Sequence, residues 1–202
     1  MTDWDDAYRQ KGAEGVSWYQ PEPVISLELI RLLDVQPSDP VIDIGGGASP
    51  LVDRLLRSGF TDLSVLDVSE VALELCRRSL HGGEQVTFMR EDVLAWRPSR
   101  SYALWHDRAV FHFLTDERHK TGYLVTMAEA LRPDGRVVIA TFAEDGPEYC
   151  SGLPVARYRG AELAERLGRS FTLIATRREV HTTPDGATQP FTWIAARRTA
   201  PR

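Results

Sequence analysis

The sequence predicts an α/β fold in a single domain, built on a doubly wound, mostly parallel sheet with an antiparallel C-terminal hairpin. Short apolar runs typical of buried strands alternate with segments whose apolar residues recur at helical spacing. A glycine-rich turn, Gly45–Gly47, joins the first of these strands to a helix that begins near Pro50. Two β-rich runs near the end of the chain flank a turn at 183–187, which predicts the hairpin.

Length and composition restrict the class of protein. At 202 residues the chain is expected to form one domain, 1–202, and its 43% hydrophobic and 26% charged residues are ordinary for a globular protein. No apolar run approaches the length of a membrane span, and a net charge of −5 gives no support for a nucleic-acid partner. Two cysteines, Cys76 and Cys150, are too few for a disulfide scaffold, so a cytoplasmic location is expected. No metal site is predicted.

Residues 1–23 are expected to form an N-terminal arm. They start with an acidic, polar stretch that is unlike a signal peptide. Gly12 and Gly15 then precede the aromatic pair Trp18–Tyr19, and this composition does not indicate regular structure. Two interpretations stay open, because the pair can pack the arm onto the core or belong to a lid that closes over a bound ligand.

The glycine turn is the centre of the predicted binding site. Strand 41–44 leads into it, and the following helix at 51–58 ends at Gly59. Glycines allow the sharp turn and let a ligand approach the backbone at a helix N-terminus. The dehydrogenase fingerprint requires Gly or Ala where this chain has Pro50, so the pattern argues against a dinucleotide. A tight turn without a ligand is the alternative interpretation.

A second strand, 63–66, ends at Asp67, which follows Gly45 by 22 positions. An acid at about this distance past the turn can accept hydrogen bonds from ribose hydroxyls. The alternative is an ordinary turn residue, because Asp is common in turns. Ser69 is a suitable N-cap for the helix predicted at 70–79.

The remaining elements continue the alternation, apart from an irregular segment at 143–159 on the expected substrate side. An irregular segment of this length in a compact domain is more often functional than accidental. The other predicted elements are strands at 85–89, 102–105, 136–142, 171–180 and 191–198, and helices at 24–33, 116–131 and 160–168.

In their order and spacing, the glycine turn, Asp67, the pair Asp92–Val93 and the final hairpin resemble the class I S-adenosylmethionine-dependent methyltransferases. The resemblance covers roughly residues 18–198. It implies a Rossmann-like, seven-stranded sheet whose last strand is antiparallel, with S-adenosylmethionine across the carboxyl ends of the early strands and S-adenosylhomocysteine as product. The cofactor-binding residues that it implies are Trp18, Tyr19, Asp43, Gly45, Gly46, Gly47, Asp67, Val68, Asp92, Val93 and His106.

A narrower likeness concerns the acceptor. The stretches Trp4–Asp5, Ser17–Tyr19 and Asp107–Arg108 are similar to a branch that includes protein lysine methyltransferases. The next stretch, 109–114, departs from that branch and looks more like bacterial small-molecule methyltransferases. Methyl transfer to a small molecule is therefore the leading hypothesis, and a lysine on a partner protein is the alternative. A nicotinamide-binding oxidoreductase or an inactive cofactor-binding module is a further alternative; the acceptor atom and the oligomeric state stay open.

The stretch after strand 102–105 supplies the candidate catalytic residues. Methyl transfer from a sulfonium is an in-line displacement that needs a base only when the nucleophile must lose a proton. His106, Asp107 and His112 are the candidates, since the resemblance puts the donor methyl group near them. The alternatives are structural, with His112 hydrogen-bonded in the core and Asp107 paired with Arg108 or capping a turn. The candidate substrate residues are Trp18, Arg108, Phe113, Cys150 and Arg157.

Overall fold

The computed structural model describes residues 3–80 and 85–199, so the first two residues of the predicted arm lie outside the described residues. A seven-stranded sheet with the strand order β3-β2-β1-β4-β5-β9-β8 forms the centre, and β6 and β7 form a separate small hairpin. The strands are β1 (Val41–Ile44), β2 (Leu63–Asp67), β3 (Val86–Arg90), β4 (Tyr102–Arg108), β5 (Leu131–Phe142), β6 (Tyr149–Cys150), β7 (Leu153–Pro154), β8 (Phe171–Thr182) and β9 (Thr188–Arg198). The helices are α1 (Trp4–Lys11), α2 (Val24–Leu32), α3 (Leu51–Arg57), α4 (Glu70–Ser79), α5 (Glu117–Ala130) and α6 (Gly160–Leu167).

The order of the strands reverses next to β1. This strand pairs in parallel with β2 on one side and with β4 on the other. The chain then builds outward through β3 on the first side and through β5 on the second. Such a reversal leaves a crevice at the carboxyl ends of the strands, which is where open α/β sheets bind ligands. The predicted doubly wound, mostly parallel sheet is confirmed.

The C-terminal hairpin joins the sheet beside β5. Strand β9 is antiparallel both to β5 and to β8, so β8 again runs in the direction of the first five strands. The predicted antiparallel hairpin is confirmed, and its strands begin or end a few residues beyond the predicted bounds.

Side chains of β1 alternate between two apolar layers. Val41 packs with helices α2 and α3 on one face, whereas Ile42 and Ile44 pack with α5 and α6 on the other. This alternation follows from the two-residue repeat of a strand and covers both faces with helices. No helix of the described residues is long and apolar enough to cross a bilayer.

Four segments differ from the sequence prediction, and one is β5, which begins at Leu131 instead of at residue 136. Helix α1 lies in the arm that was expected to be irregular, and the side chain of Asp3 caps it by accepting a hydrogen bond from the Asp6 N–H. Strand β4 continues to Arg108, so His106 and Asp107 lie within it instead of after it. The segment 143–159 contains the small hairpin, which turns through Ser151 and Gly152 at positive φ.

A buried chain of hydrogen bonds ties β4 to α5. The Trp105 indole N–H donates to the Tyr123 hydroxyl over 2.8 Å, and that hydroxyl donates to Asp107 Oδ2. All three side chains are buried. Removing the central hydroxyl leaves the Trp105 indole N–H without a partner in the core and takes from Asp107 Oδ2 one of its two hydrogen bonds.

We expect Tyr123→Phe to lower the free energy of unfolding by about 1–3 kcal/mol, because both neighbours lose a buried hydrogen bond. Urea denaturation followed by circular dichroism measures this change. Tyr149→Phe, at an exposed ring, is the matched control and should change the value by less than about 0.5 kcal/mol. Equal effects of the two substitutions would contradict the structural role of this chain.

Candidate active site

The glycine turn packs so closely against its neighbours that side chains do not fit. Gly45 and Gly47 have φ angles of +63° and +40°, which side-chain-bearing residues rarely adopt. A Cβ atom on Gly45 would lie 2.1 Å from Cγ2 of Val110, beyond the end of β4. The turn is therefore held against the stretch after this strand, which was predicted to supply the catalytic residues.

Asp43 and His106 form a buried pair behind the turn. Nδ1 of His106 donates to Asp43 Oδ1 over 2.7 Å, and its Nε2 lies 2.9 Å from the Ser26 hydroxyl of α2. Both ring nitrogens are thus engaged, which argues against the predicted role of His106 as a base. Asp43 Oδ2 is buried without a partner among the described residues, and a Cβ on Gly46 would lie 2.6 Å from it. One carboxylate oxygen is therefore left at the glycine turn.

Asp67 lies at the same turn from the side of β2. Its Oδ1 accepts the N–H of Ser69 over 2.8 Å, and a Cβ on Gly47 would lie 2.8 Å from its Oδ2. Burial raises the pKa of Asp67 to about 6, although backbone N–H groups oppose the shift. The carboxylate is thus mostly ionised near neutral pH. It also lines a cleft, so it can accept hydrogen bonds from sugar hydroxyls.

Two clefts open along the carboxyl edge of the sheet, and Tyr8, Trp18, Gly45 and Arg108 line both. Their volumes are about 40 Å³ for the first and about 230 Å³ for the second. The predicted cofactor residues of the first cleft are Trp18, Tyr19, Asp43, Gly45, Gly46 and His106. Those of the second are Trp18, Gly45, Asp67, Val68, Asp92 and Val93. Gly47 touches the second cleft's Asp67.

The N-terminal arm covers this edge of the sheet. Asp5 of α1 accepts hydrogen bonds from the Ser69 hydroxyl and from the Val71 N–H at the start of α4. The Tyr8 hydroxyl accepts the indole N–H of Trp18 over 3.0 Å. The arm is thus fixed to the strand ends on the nucleotide side, above the glycine turn.

Further along, the same arm is fixed to the other half of the sheet. Arg108 donates to the Trp18 carbonyl and His181 to the Ser17 carbonyl, each over 2.8 Å. The Gln20 side chain also donates to Glu179 of β8. The arm therefore both packs on the core and covers the clefts, so the two interpretations of Trp18–Tyr19 are compatible.

Asp107 is fully buried and its two oxygens are engaged. Oδ1 accepts the N–H of Val110 over 2.8 Å, and Oδ2 accepts the N–H of Phe111 as well as the Tyr123 hydroxyl. Burial raises the pKa of this carboxyl to about 6. Asp107 lines neither cleft. It shapes the turn after β4, which argues against the predicted catalytic role and favours the turn-capping alternative.

His112 is fully buried among aromatic rings. Its ring centroid lies 4.4 Å from that of Phe113 and 4.7 Å from that of Phe142. Neither ring nitrogen has a hydrogen-bond partner in the described part of the chain. Burial, and after it the charge of Arg108, lowers its pKa to about 3, so the imidazole is neutral at physiological pH. So weak a base, which lines neither cleft, does not fit the predicted role.

Four of the five predicted substrate residues meet in the second cleft: Trp18, Arg108, Phe113 and Cys150. Burial raises the pKa of the Cys150 thiol to about 11, so this thiol is protonated. Arg157 is elsewhere, because it donates to the Gly146 carbonyl and pairs with Glu148, each over 3.0 Å. Its guanidinium braces the segment 143–159 and lines neither cleft.

Sequence reasoning missed several cleft residues, and α1 supplies two of them. Trp4 and Tyr8 line the second cleft together with Val110 and Leu153. Two signals for α1 are present in the sequence. Asp3 is a suitable N-cap. Acidic residues stand in the first turn and basic residues in the last, which suits the helix dipole. Nothing in a single sequence shows that this helix packs over the glycine turn.

The residues present fit S-adenosylmethionine. The fit rests on the unpartnered Asp43 Oδ2 at the glycine turn, which suits an ammonium group, and on the ionised Asp67. Asp92 and the buried Val93 line the same cleft at the end of β3, where an adenine ring would meet a carboxylate and an apolar wall. Among the described residues, no cluster of acidic, histidine or cysteine side chains could hold a metal ion.

Comparison with known proteins agrees with this fit. A family model described as a methyltransferase domain matches residues 41–135. The eEF1A lysine and N-terminal methyltransferase of Bos taurus is 26% identical over 151 residues, 70% of this chain but 21% of that protein. This chain therefore spans about a fifth of that relative's length. Thiocyanate methyltransferase 1 of Brassica oleracea is 31% identical over 91 residues, 42% of this chain and 40% of that protein.

Among solved structures, the N-methyltransferase NodS of Bradyrhizobium japonicum in complex with S-adenosylhomocysteine has the same fold. The TM-score is 0.74 at 16% identity, and the match covers 96% of this chain and 97% of that one. The fold is that of the S-adenosylmethionine-dependent methyltransferases, and the matched domain model and the relatives make this chain similar to that class, with a likeness to its lysine methyltransferase branch.

Proposed function

We propose that this chain transfers the methyl group of S-adenosylmethionine to a small-molecule acceptor bound beside the end of β4. One observation carries the proposal. One cleft is lined both by Asp67 and Asp92, which suit a nucleoside, and by Arg108 and Phe113 near the end of β4. The arm closes that end through Trp18, so the acceptor half of the cleft is bounded by protein.

Each part of the cofactor has residues suited to it. Asp67 would accept the ribose hydroxyls, Asp92 would hold the adenine amino group, and the unpartnered Asp43 Oδ2 would bind the methionine ammonium. The bound sulfonium supplies an electrophilic methyl group, which the acceptor takes by in-line displacement. The chain contributes by holding two reactants in line, which is worth roughly 7–11 kcal/mol when the geometry is right.

The arm and the turn after β4 exclude water and orient the acceptor. Trp4 packs edge-on against Trp18 and Phe113, with ring centroids 5.7 Å and 5.2 Å apart. Asp107 fixes the backbone that carries Phe113, and His106 fixes the spacing of β1, β4 and α2. These two residues act by positioning their neighbours, while no step needs them to take a proton.

A lysine on a partner protein is the second candidate function. It is supported by the relative from Bos taurus, whose name describes a lysine and N-terminal methyltransferase. Against it, the arm lies across the cleft end where a protein side chain would have to enter. The second relative is named for thiocyanate, a small acceptor. The arm across the cleft favours the small molecule.

The ribose contact is tested with Asp67→Asn. We expect S-adenosylhomocysteine to bind about 10- to 100-fold more weakly to this variant, because a hydrogen bond to a charged acceptor is lost. Isothermal titration calorimetry measures the dissociation constants, and thermal melting confirms that the variant is folded. Unchanged affinity would remove Asp67 from the proposed cofactor site.

The same carboxylate predicts a pH dependence. Since the pKa of Asp67 is raised to about 6, lowering the pH from 7 to 5 protonates it and should weaken S-adenosylhomocysteine binding by up to about tenfold. In Asp67→Asn, calorimetry should give a flatter profile across this range. Wild-type affinity that is constant from pH 7 to pH 5 would contradict the assignment.

The acceptor class is tested with a methyl-labelled cofactor and cell lysate. We expect label in the small-molecule fraction, since the arm encloses the acceptor end of the cleft. Asp67→Asn serves as the control with impaired cofactor binding. A discrete labelled protein band that depends on the wild-type enzyme would instead establish the lysine alternative.

A further inference from the structure

Arg108 carries a positive charge that the protein leaves largely uncompensated. Its Nη1 donates to the Trp18 carbonyl, but its Nε and Nη2 are buried without hydrogen-bond partners in the described part of the chain. Burial lowers the pKa of the guanidinium to about 10, which still leaves it charged near neutral pH. A buried, charged donor without an acceptor is costly, so native proteins rarely keep one without a function.

Glu179 does not neutralise this charge by contact. It attracts Arg108 electrostatically, but one of its oxygens accepts from Gln20 and the other accepts the Trp193 indole N–H over 2.9 Å. Among the described residues, Arg108 has no ion pair with a carboxylate, and it instead lies over the Phe191 ring at 4.6 Å. A rigid two-donor edge of the guanidinium therefore remains available, which matches a carboxylate in shape and charge.

The position of the guanidinium separates it from the nucleoside residues. Asp67 and Asp92 follow β2 and β3, on one side of β1. Phe191 belongs to β9, on the opposite side of β1 and beyond β4 and β5. Because Arg108 stacks on Phe191, its charge lies toward the acceptor half of the sheet edge.

On the side of the second cleft, the side chains near Arg108 are mostly apolar. The acceptor end of the second cleft is formed by Trp4, Trp18, Phe113 and Leu153. Cys150 adds a thiol that is protonated, because burial raises its pKa to about 11. One cation in an apolar, aromatic pocket selects a ligand with one negative group and an apolar body.

We propose that Arg108 binds the negatively charged group of the acceptor, and that the acceptor is a small organic acid with an apolar or aromatic body. This inference rests on the proposed function and names its substrate class. A carboxylate or another unprotonated nucleophile has no proton to lose, so the reaction needs no general base. This agrees with the state of the predicted bases, which are hydrogen-bonded to other residues or too weakly basic. A cationic lysine ammonium would be repelled by the same guanidinium.

The cofactor also has a carboxylate, so the first experiment separates the two sources of negative charge. Calorimetry compares S-adenosylhomocysteine with 5′-deoxy-5′-methylthioadenosine, which lacks the amino-acid part, on wild type and Arg108→Met. We expect S-adenosylhomocysteine to bind both proteins within about twofold of each other, since Arg108 serves the acceptor. A loss of about tenfold or more that spares methylthioadenosine would assign Arg108 to the cofactor and overturn the proposal.

The second experiment uses three pairs of probes that differ in charge and hardly in shape. Benzoate, phenylacetate and 3-phenylpropionate, each beside its primary amide, are titrated into protein saturated with S-adenosylhomocysteine. We expect at least one acid to bind wild type about tenfold or more tightly than its amide, and Arg108→Met to lose this preference. A wild type that prefers no acid, or a variant that keeps the preference, would overturn the proposal.

Two further variants control for charge and folding. Arg178→Met removes a positive charge from β8, where Arg178 pairs with Asp145, and should keep the acid preference. Arg108→Lys retains the charge without the two-donor edge and should lose part of the preference for an acid over its amide. If Arg108→Met fails to melt cooperatively, the lysine variant decides whether Arg108 binds the acid. Failure of wild type to bind S-adenosylhomocysteine at all would refute the proposed function itself, a result distinct from any loss of acid preference.

Discussion

The absence of side chains at three consecutive positions is the constraint on which the rest of the site depends. A Cβ on Gly45, Gly46 or Gly47 would lie 2.1, 2.6 or 2.8 Å from Val110, Asp43 or Asp67 respectively. These contacts bring the ends of β1, β2 and β4 together around one turn. The carboxylates of Asp43 and Asp67 and the loop after β4 consequently lie close together. Each buried carboxylate then needs a hydrogen-bond or ionic partner, which the protein or a ligand supplies.

Much of the fold could be predicted because local signals and tertiary packing agree. The bounds of α4 are those predicted, since Ser69 is a strong N-cap and its hydroxyl accepts the Ala72 N–H. Strand β1 also has its predicted bounds, because a short, mostly apolar run is followed directly by the glycine turn. The small hairpin β6–β7 was missed, because two-residue strands have no periodicity to detect.

The candidate site could be predicted in part. Asp67, Asp92 and the glycines stand out from the sequence, because each follows a buried strand at a regular position. The functions of His106 and Asp107 could not be derived in this way. Each is decided by a partner far away in sequence, Ser26 for His106 and Tyr123 for Asp107, and such pairings exist only once the chain has folded. The unpaired guanidinium of Arg108 is likewise a property of the packing.

The arm connects two distant parts of the sheet edge, from Ser69 at α4 to His181 on β8. The arm lies along the edge at which both clefts open, and its Trp18 lines both of them. In the described part of the chain, Asp5 makes two of the hydrogen bonds that fix the arm, and Ser17, Trp18 and Gln20 make one each; at about 1 kcal/mol for each bond, they hold the arm in place by about 5 kcal/mol. An arm held this firmly stays over the clefts unless several of these bonds break together, so the N-terminal residues are as much a part of the site as the strand ends that they cover.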